Sequence, residues 1–560
     1  MLWYMSEDRN MAIYINNTKK VTNMLVNVNG QKKKIVSAWV NRDGVPAKVF
    51  GPDHTYMIPV TANSYIAKSR GKSFKLTIPD KEEISCTATA NDHISLSGNM
   101  VTVSQNAAVG SVIPVRVSSD SVSYTVNIIV APDISKNSYE IYDSNDLVTL
   151  RTIVNHSAMN DVSQNARLMN DIDLSDVCSP TAGNWIIISE YHGIFDGQRH
   201  TINHLYMDVT GANYAENYET YVGLFGKTNG ATIKNATLNG SVTGRSGSTS
   251  KNMYVGGFCA YSTNTKFENL INNTSVYALY PSSASIAAPF YAGGICGYSP
   301  SAEYTGCTNN GIIQGKRYSG GICGYGGHFM NCHNTGKIQS LIGDAGGIGG
   351  RNGGGIWTTG CANTGTIIAN SGYAGGIFAS GSYVSQCHNW GSISSSRQSA
   401  GGIIGSGGRI DECYNNGEIT ASGQSSASYA GGIVGSALNE VKNSYNTGNV
   451  TGYHAAGGIT GCQQTAYVSN CYSIGNYKVN DSGNAYGSII GYSMNSCQLI
   501  NCYALTSRLH GGNAYAVTKT NCESVSESIL KTYAHKLGDK FTDDAHGING
   551  GFPILAFQTT

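Results

Sequence analysis

Residues 318–348 read YSGGICGYGGHFMNCHNTGKIQSLIGDAGGI, and this stretch contains one whole period of a repeat. It opens on Gly320-Gly321-Ile322 and closes on Gly346-Gly347-Ile348, with Cys332-x-Asn334-x-Gly336-x-Ile338 between them. Working outward, the Gly-Gly pair recurs at Gly256-Gly257, Gly293-Gly294, Gly375-Gly376, Gly401-Gly402, Gly431-Gly432 and Gly457-Gly458, with a degenerate copy at Gly487-Ser488. The later steps alternate in length. Those from Gly320 to Gly346 and from Gly375 to Gly401 are short, while those from Gly346 to Gly375 and from Gly401 to Gly431 are long, so the unit is a double coil. The Cys-x-Asn-x-Gly motif recurs at Cys307, Cys361, Cys387 and Cys413. Ser444 replaces the thiol once, and Cys471 and Cys502 keep part of the frame.

So short a period cannot hold two packed helices, and paired glycines would cost a helix about 1 kcal/mol each. The short apolar runs are strands broken by glycine turns. A single coil cannot bury its apolar side, whereas stacked coils form one column. Ile295, Ile322, Ile348, Ile377, Ile403, Ile433, Ile459 and Ile489 hold one equivalent position and are expected inside. Burial of each contributes roughly 1.5–3 kcal/mol before entropy. The ladder Cys307, Cys332, Cys361, Cys387, Cys413, Cys471 and Cys502 is expected as a second inward row. In-register Cβ atoms stand about 4.8 Å apart, beyond the ~3.5–4.5 Å of a disulfide, so reduced thiols are predicted. The Asn row suits a turn with φ > 0 and amide bonds from coil to coil.

These motifs resemble the GLUG-type repeats of bacterial and phage-borne surface proteins, a family that implies parallel β-helices. Asp171-Ile172-Asp173-Leu174, Gly193-Ile194-Phe195-Asp196-Gly197 and Gly223-Leu224-Phe225-Gly226 extend the likeness towards the N-terminus, and Gly550 to Leu555 extends it to the end. The fold class expected is all-β, with a right-handed parallel β-helix over 136–525. It would hold roughly a dozen coils, each of about 26–30 residues. An amphipathic helix from Ser144, with Leu147, Leu150, Ile153 and Val154 on one face, is expected to cap its first coil. A helix over Ser526 to Leu537 begins a C-terminal cap, 526–560. Alternation over 73–135 predicts a β-sandwich resembling bacterial Ig-like modules. Residues 1–72 form an N-terminal β-hairpin unit with turns at Asn29-Gly30 and Asp43-Gly44.

The chain of 560 residues carries a net charge of +1 with only 13% charged residues, so general attraction to nucleic acid or to an anionic membrane is excluded. No run of about 18 apolar residues occurs, so no membrane insertion is expected. The start, MLWYMSEDRN, lacks the pattern of a secretory signal, and Met11 is a candidate start of translation. Residues 11–51 carry Lys19, Lys20, Lys32, Lys33, Lys34, Arg42 and Lys48 against Asp43. This stretch resembles the short repeats that open phage and prophage tail proteins, which implies docking to tail or baseplate proteins. The same likeness implies a homotrimer.

Hydrolases and lyases on β-helices need acids that converge on one face. Here Asp344, Asp411, Glu412, Glu418 and Glu440 read as isolated, and Asp208, Glu216 and Glu219 sit on irregular early coils. Catalysis is therefore not the favoured expectation, and no cofactor or metal is expected. His333 and His388 follow ladder cysteines two coils apart, about 9.6 Å, too far for one zinc. They and Tyr414, Tyr445, Tyr472 and Tyr503 are expected as an exposed stripe. Before the glycine pairs stand Tyr254, Tyr291, Tyr318, Tyr373, Tyr429 and Tyr486, with Tyr221 equivalent. These rings either pack the longer turn or form a ladder for sugars or protein. The expected function is a tail-associated protein, located in the virion tail, whose β-helix binds a host-surface glycan or protein. The alternatives are a bacterial surface adhesin and a glycan-cleaving depolymerase.

Overall fold

A computed structural model describes the chain from residue 56 to 559, together with short strands between Tyr4 and Phe50. Its description leaves out 61–63, 80, 82, 132–137, 157–164, 211–214, 217–218, 246–251, 281–288, 352–354, 356, 465–466, 481–484, 507 and 514–515. The chain divides into two units: residues 1–139 with 145–164, and residues 140–144 with 165–560. No described helix is long and apolar enough to cross a membrane.

In the first unit, Leu25–Val28 pairs antiparallel with Gln31–Lys34, and Ala38–Arg42 with Val45–Phe50. Two four-stranded sheets follow. Strand alternation turns Phe74, Leu76, Val101, Val103, Val115, Val117, Val126 and Ile128 into one buried core. These sheets begin earlier than the alternation at residue 73 marks. Tyr56–Pro59 pairs parallel with Ser73–Thr77, and Tyr65–Ser69 with Ser123–Ala131. Such distant parallel pairings leave no local hairpin signal. The helix Ser144–Asn155 packs Ile153 against Ala67, Ile129 and Ala131 of this unit. Its amphipathic pattern gives the buried face, on which Leu147, Leu150, Ile153 and Val154 all lie.

The second unit is a parallel β-helix. One sheet of 40 strands winds through it, and a separate sheet of 11 strands carries the residues before the glycine pairs. Like residues sit over like: Ile313, Ile338, Ile367, Ile393, Ile419 and Val450 pair in register from coil to coil. The column Ile295, Ile322, Ile348, Ile377, Ile403, Ile433, Ile459 and Ile489 is fully buried, and each carbonyl accepts a backbone N–H of the coil before it, as from Ile295 to Ile322 at 3.0 Å. The cysteines stand as free thiols. A second thiol ladder that the repeat did not announce pairs Cys259, Cys296 and Cys323.

The geometry explains both motifs as two sides of one contact. A Cβ added at Gly320 would lie 1.9 Å from the Cys323 carbonyl oxygen, and one at Gly321 would lie 2.0 Å from that of Gly347 and 2.6 Å from Asn334 Oδ1. The glycine corner is pressed against the asparagine row and the next coil, so no side chain fits. That asparagine row is fully buried. Asn309, Asn334, Asn363 and Asn389 each donate Nδ2 to the next Oδ1 at 2.7–2.8 Å and also to the carbonyl two residues on. A buried amide left unbonded would cost about 1–3 kcal/mol, so the row is continuous until Ser473 takes over as acceptor. These asparagines are not the residues with positive φ. That conformation falls one residue before the ladder cysteine, at Asn331, Gln386, Glu412, Asn443, Asn470 and Asn501. The ladder thiols are polar links as well as filler. Cys361 Sγ accepts the N–H of Cys332 at 3.3 Å and donates to the Thr359 carbonyl. Ser444 does both through its hydroxyl, which is why Ser replaces Cys there.

Candidate functional site

The tyrosine row divides under the structure. Tyr221, Tyr254, Tyr291 and Tyr318 pair in register and stack with centroids 5.4 Å apart. All four are buried, because Tyr261, Tyr298 and Tyr325 lie edge-on over them as a second stack. Burial pushes the Tyr254 and Tyr291 hydroxyls well above their ordinary value, and Tyr254 Oη donates to Glu219 at 2.8 Å. Lys227 stands 4.6 Å over the Tyr221 ring. The other three tyrosines do not continue this stack. Tyr373 is half-buried, with its N–H on Asp344 at 3.0 Å. Tyr429 is buried and pairs with Tyr492 at 6.3 Å. Tyr486 is one residue out of step: it pairs with Ala456, and Ala485 takes the tyrosine position. A slip of one residue changes the face of a strand. Tyr486 is 37% exposed beneath Arg508.

His333 and His388 share a row with Ala362 between them, two coils apart. Burial lowers the His388 imidazole to about 4 and also lowers His333. Among the described residues no group of His, Cys, Asp or Glu is placed to hold a metal. From His388 the row continues as a stack through Tyr414, Tyr445 and Tyr472, at 4.9, 5.1 and 5.0 Å, with Tyr503 next in register. The expectation of an exposed stripe is corrected here. The row is buried from Tyr414 on, beneath Leu530, Tyr533, Leu537, Phe541, Phe552 and Leu555. The helix expected over 526–537 is two short ones, Glu527–Leu530 and Ala534–Leu537, and the segment lies along the flank of the coils. Tyr472 Oη donates to the Pro553 carbonyl and accepts from Asn549 Nδ2 at 2.6 Å. Tyr445 Oη donates to Gln558 at 3.1 Å. Sequence gives the apolar faces of both parties but not their meeting.

A different aromatic row does reach solvent. Four residues before each ladder cysteine stands an outward position, held by Glu303, His328, Trp357, Tyr383, Arg409, Tyr467 and Gln498. Trp357 pairs with Tyr383 and Tyr383 with Arg409, while the next residues, Phe329, Val384 and Ile410, point inward and are buried. The His328 and Trp357 rings lie 5.2 Å apart. Trp357 is 43% and Tyr383 41% exposed. Beside them Thr359 and Ser385 present hydroxyls 3.3 Å apart. The signal is available as a fixed offset from the cysteines; it escapes a search for repeats because the residue type varies along the row.

Below Tyr383 the acids are not isolated. Lys442 pairs with Asp411 at 3.2 Å, and Arg409 with Glu440 at 3.2 Å; Tyr467 Oη donates to Glu440. Burial alone would lower the Lys442 ammonium, but Asp411 and Glu440 together hold it up. Register in neighbouring coils thus gathers acids that stand a whole coil apart in the sequence. Glu412 turns away to Lys540 at 2.8 Å, as adjacent residues should. Asp208 is paired with Arg245 at 2.8 Å. Upstream, a cleft of about 430 Å³ opens between Pro289, Tyr291, Tyr298, Arg317, Tyr318, Tyr325 and Arg351.

With this geometry in place, comparison with known proteins finds the GLUG motif at residues 426–451. The chain carries a GLUG repeat. The matched GLUG segment spans one corner and one asparagine rung, Gly431-Gly432 to Asn446. A crystal structure from Bacteroides ovatus described as "a putative immunoglobulin A1 protease" is similar at 17% identity and a TM-score of 0.28, over 76% of this chain and 93% of that one. No curated protein matches the chain.

Proposed function

We propose that this GLUG-repeat β-helix is a surface-displayed binder of extended glycans, held along the outward row His328, Trp357 and Tyr383. The observation that carries the reading is the exposure of Trp357 and Tyr383 in neighbouring coils, while the stacks Tyr221 to Tyr318 and Tyr414 to Tyr503 are buried. Rigid rings on a flat strand face suit the apolar faces of sugars, and the hydroxyls of Thr359 and Ser385 can bond beside them. In the same reading residues 11–51 attach the protein to a phage or prophage tail, supported by sequence resemblance alone; neighbouring tail genes would favour it over a bacterial adhesin. The Asp411, Lys442 and Glu440 group beside Tyr383 favours glycan cleavage as a second reading, although each carboxylate is engaged by a cation. Affinity electrophoresis against host capsular polysaccharide, with product analysis, tests both. Trp357→Ala is expected to weaken retention by at least about tenfold with unchanged thermal unfolding, corresponding to ~1–2 kcal/mol. Retention equal to that of the parent protein would overturn the binding face.

A further inference from the structure

We propose that the tyrosine cleft beside this face takes the acidic group of the bound glycan, so that the ligand is an anionic polysaccharide whose charge is read by Arg317 and Arg351. The inference rests on the glycan reading above and deepens it. Cleft and platform are continuous in the chain. Tyr325 and His328 lie on one strand, Cys323–Met330, bent between them at Gly326 and Gly327, whose φ values are +86° and +89°. Arg351 ends the strand Gly349–Arg351, and Trp357 begins the next strand of the same coil. The strand Cys323–Met330 thus carries Tyr325 of the cleft and His328, whose ring lies beside Trp357.

The charge of the cleft is one-sided. Among the described residues that line it, two are guanidiniums and none is a carboxylate. Both guanidiniums stand over the Tyr318 ring, at 5.6 and 5.5 Å. Arg351 donates Nη1 to Tyr318 Oη at 3.1 Å, which leaves most of its five donors for a ligand. Its side chain is 46% exposed. The nearest acid, Asp344, lies behind it at 3.8 Å and is 9% exposed, so it orients the guanidinium without filling the cleft. Burial raises the Asp344 carboxyl above its ordinary value, while Arg351 and Arg317 oppose that shift. Tyr298 and Tyr325, stacked at 5.0 Å, provide the aromatic wall against which a sugar ring would lie. A forked cation beside an aromatic wall matches a planar carboxylate on a pyranose ring, and a sulfate ester presents the same chemistry.

The test is calorimetric titration of the full chain with tetragalacturonate and with its methyl ester, and with dextran sulfate against dextran to distinguish a carboxylate from a sulfate. The charged member of at least one pair is expected to bind about tenfold tighter at low salt, the difference shrinking as ionic strength rises. Arg351→Gln, and separately Arg317→Gln, should bring the charged ligand down to its neutral counterpart. Arg351→Lys should fall between, and Trp357→Ala should weaken both members alike; thermal unfolding confirms that each variant folds. Equal binding of charged and neutral members by the parent protein would overturn the acidic-group inference and leave the glycan reading standing. Binding of poly-glutamate in place of every sugar, or of no probe at all, would overturn both.

Discussion

Two aromatic stacks of the same β-helix, built by the same register rule, end in opposite circumstances. In the early coils Tyr221 to Tyr318 are covered by a second tyrosine stack that each coil supplies for itself, with cations over its edge. In the late coils the row from Tyr414 to Tyr503 is covered by residues 530–557, brought from the end of the chain. The first cover is local and repeated, while the second is a single segment that all late coils share. The difference teaches that a ladder of rings is a consequence of stacking and does not by itself mark a binding face. What matters is whether anything lies over the rings, and over Trp357 and Tyr383 little does.

The shared cover should be the more brittle. Tyr472 is fully buried and hydrogen-bonded to the segment above it, so Tyr472→Ala is expected to cost about 3–5 kcal/mol. Tyr472→Phe should cost only about 1–2 kcal/mol, since it removes the hydroxyl alone. Denaturant unfolding measures both, and equal losses would show that the segment is held by its hydrogen bond and not by the ring. Next in size is a pH effect at the open end of the same stack. His388 titrates near 4 in the folded chain against 6.5 ordinarily, so the unfolded state binds more protons between those values. Stability is complete above about 6.5 and falls as pH drops towards 4, by roughly 2–3 kcal/mol from this residue. His388→Phe keeps the stack on Tyr414 and should flatten that part of the pH profile; an unchanged slope would assign it to other histidines, such as His510, which burial also lowers to about 4. The smallest effect is expected in the early coils. Tyr298→Ala removes one ring of a cover that its neighbours repeat and should cost about 1–2 kcal/mol, read from the same unfolding curves. A loss as large as that of Tyr472→Ala would break the distinction between local and shared cover.

Much of the fold is legible in the sequence because a stacked coil repeats its physics. From Gly293 to Gly458 the same corner admits only glycine, the rungs from Asn272 to Asn446 bond an amide to the next, and the column from Ile295 to Ile489 leaves water. The candidate site is less legible. Tyr254 and Tyr291 announce themselves by recurrence, yet recurrence reports equivalence and says nothing of exposure. Trp357 and Tyr383 escape notice because their row changes residue type from coil to coil, which is how an outward position behaves when packing does not constrain it. Asp411 and Glu440 look solitary for a related reason: they hold different positions within their coils, and only the pairing of those coils sets Lys442 between them.

The sequence by itself determined the stacking, the inward columns and the places where glycine is obligatory, since each follows from short-range sterics and hydrogen bonding repeated at a fixed period. Only the tertiary structure decided which aromatic row meets solvent. That depends on where residues 530–557 and the second tyrosine stack come to rest, and such placement is a contest between distant apolar surfaces that leaves no periodic trace along the chain.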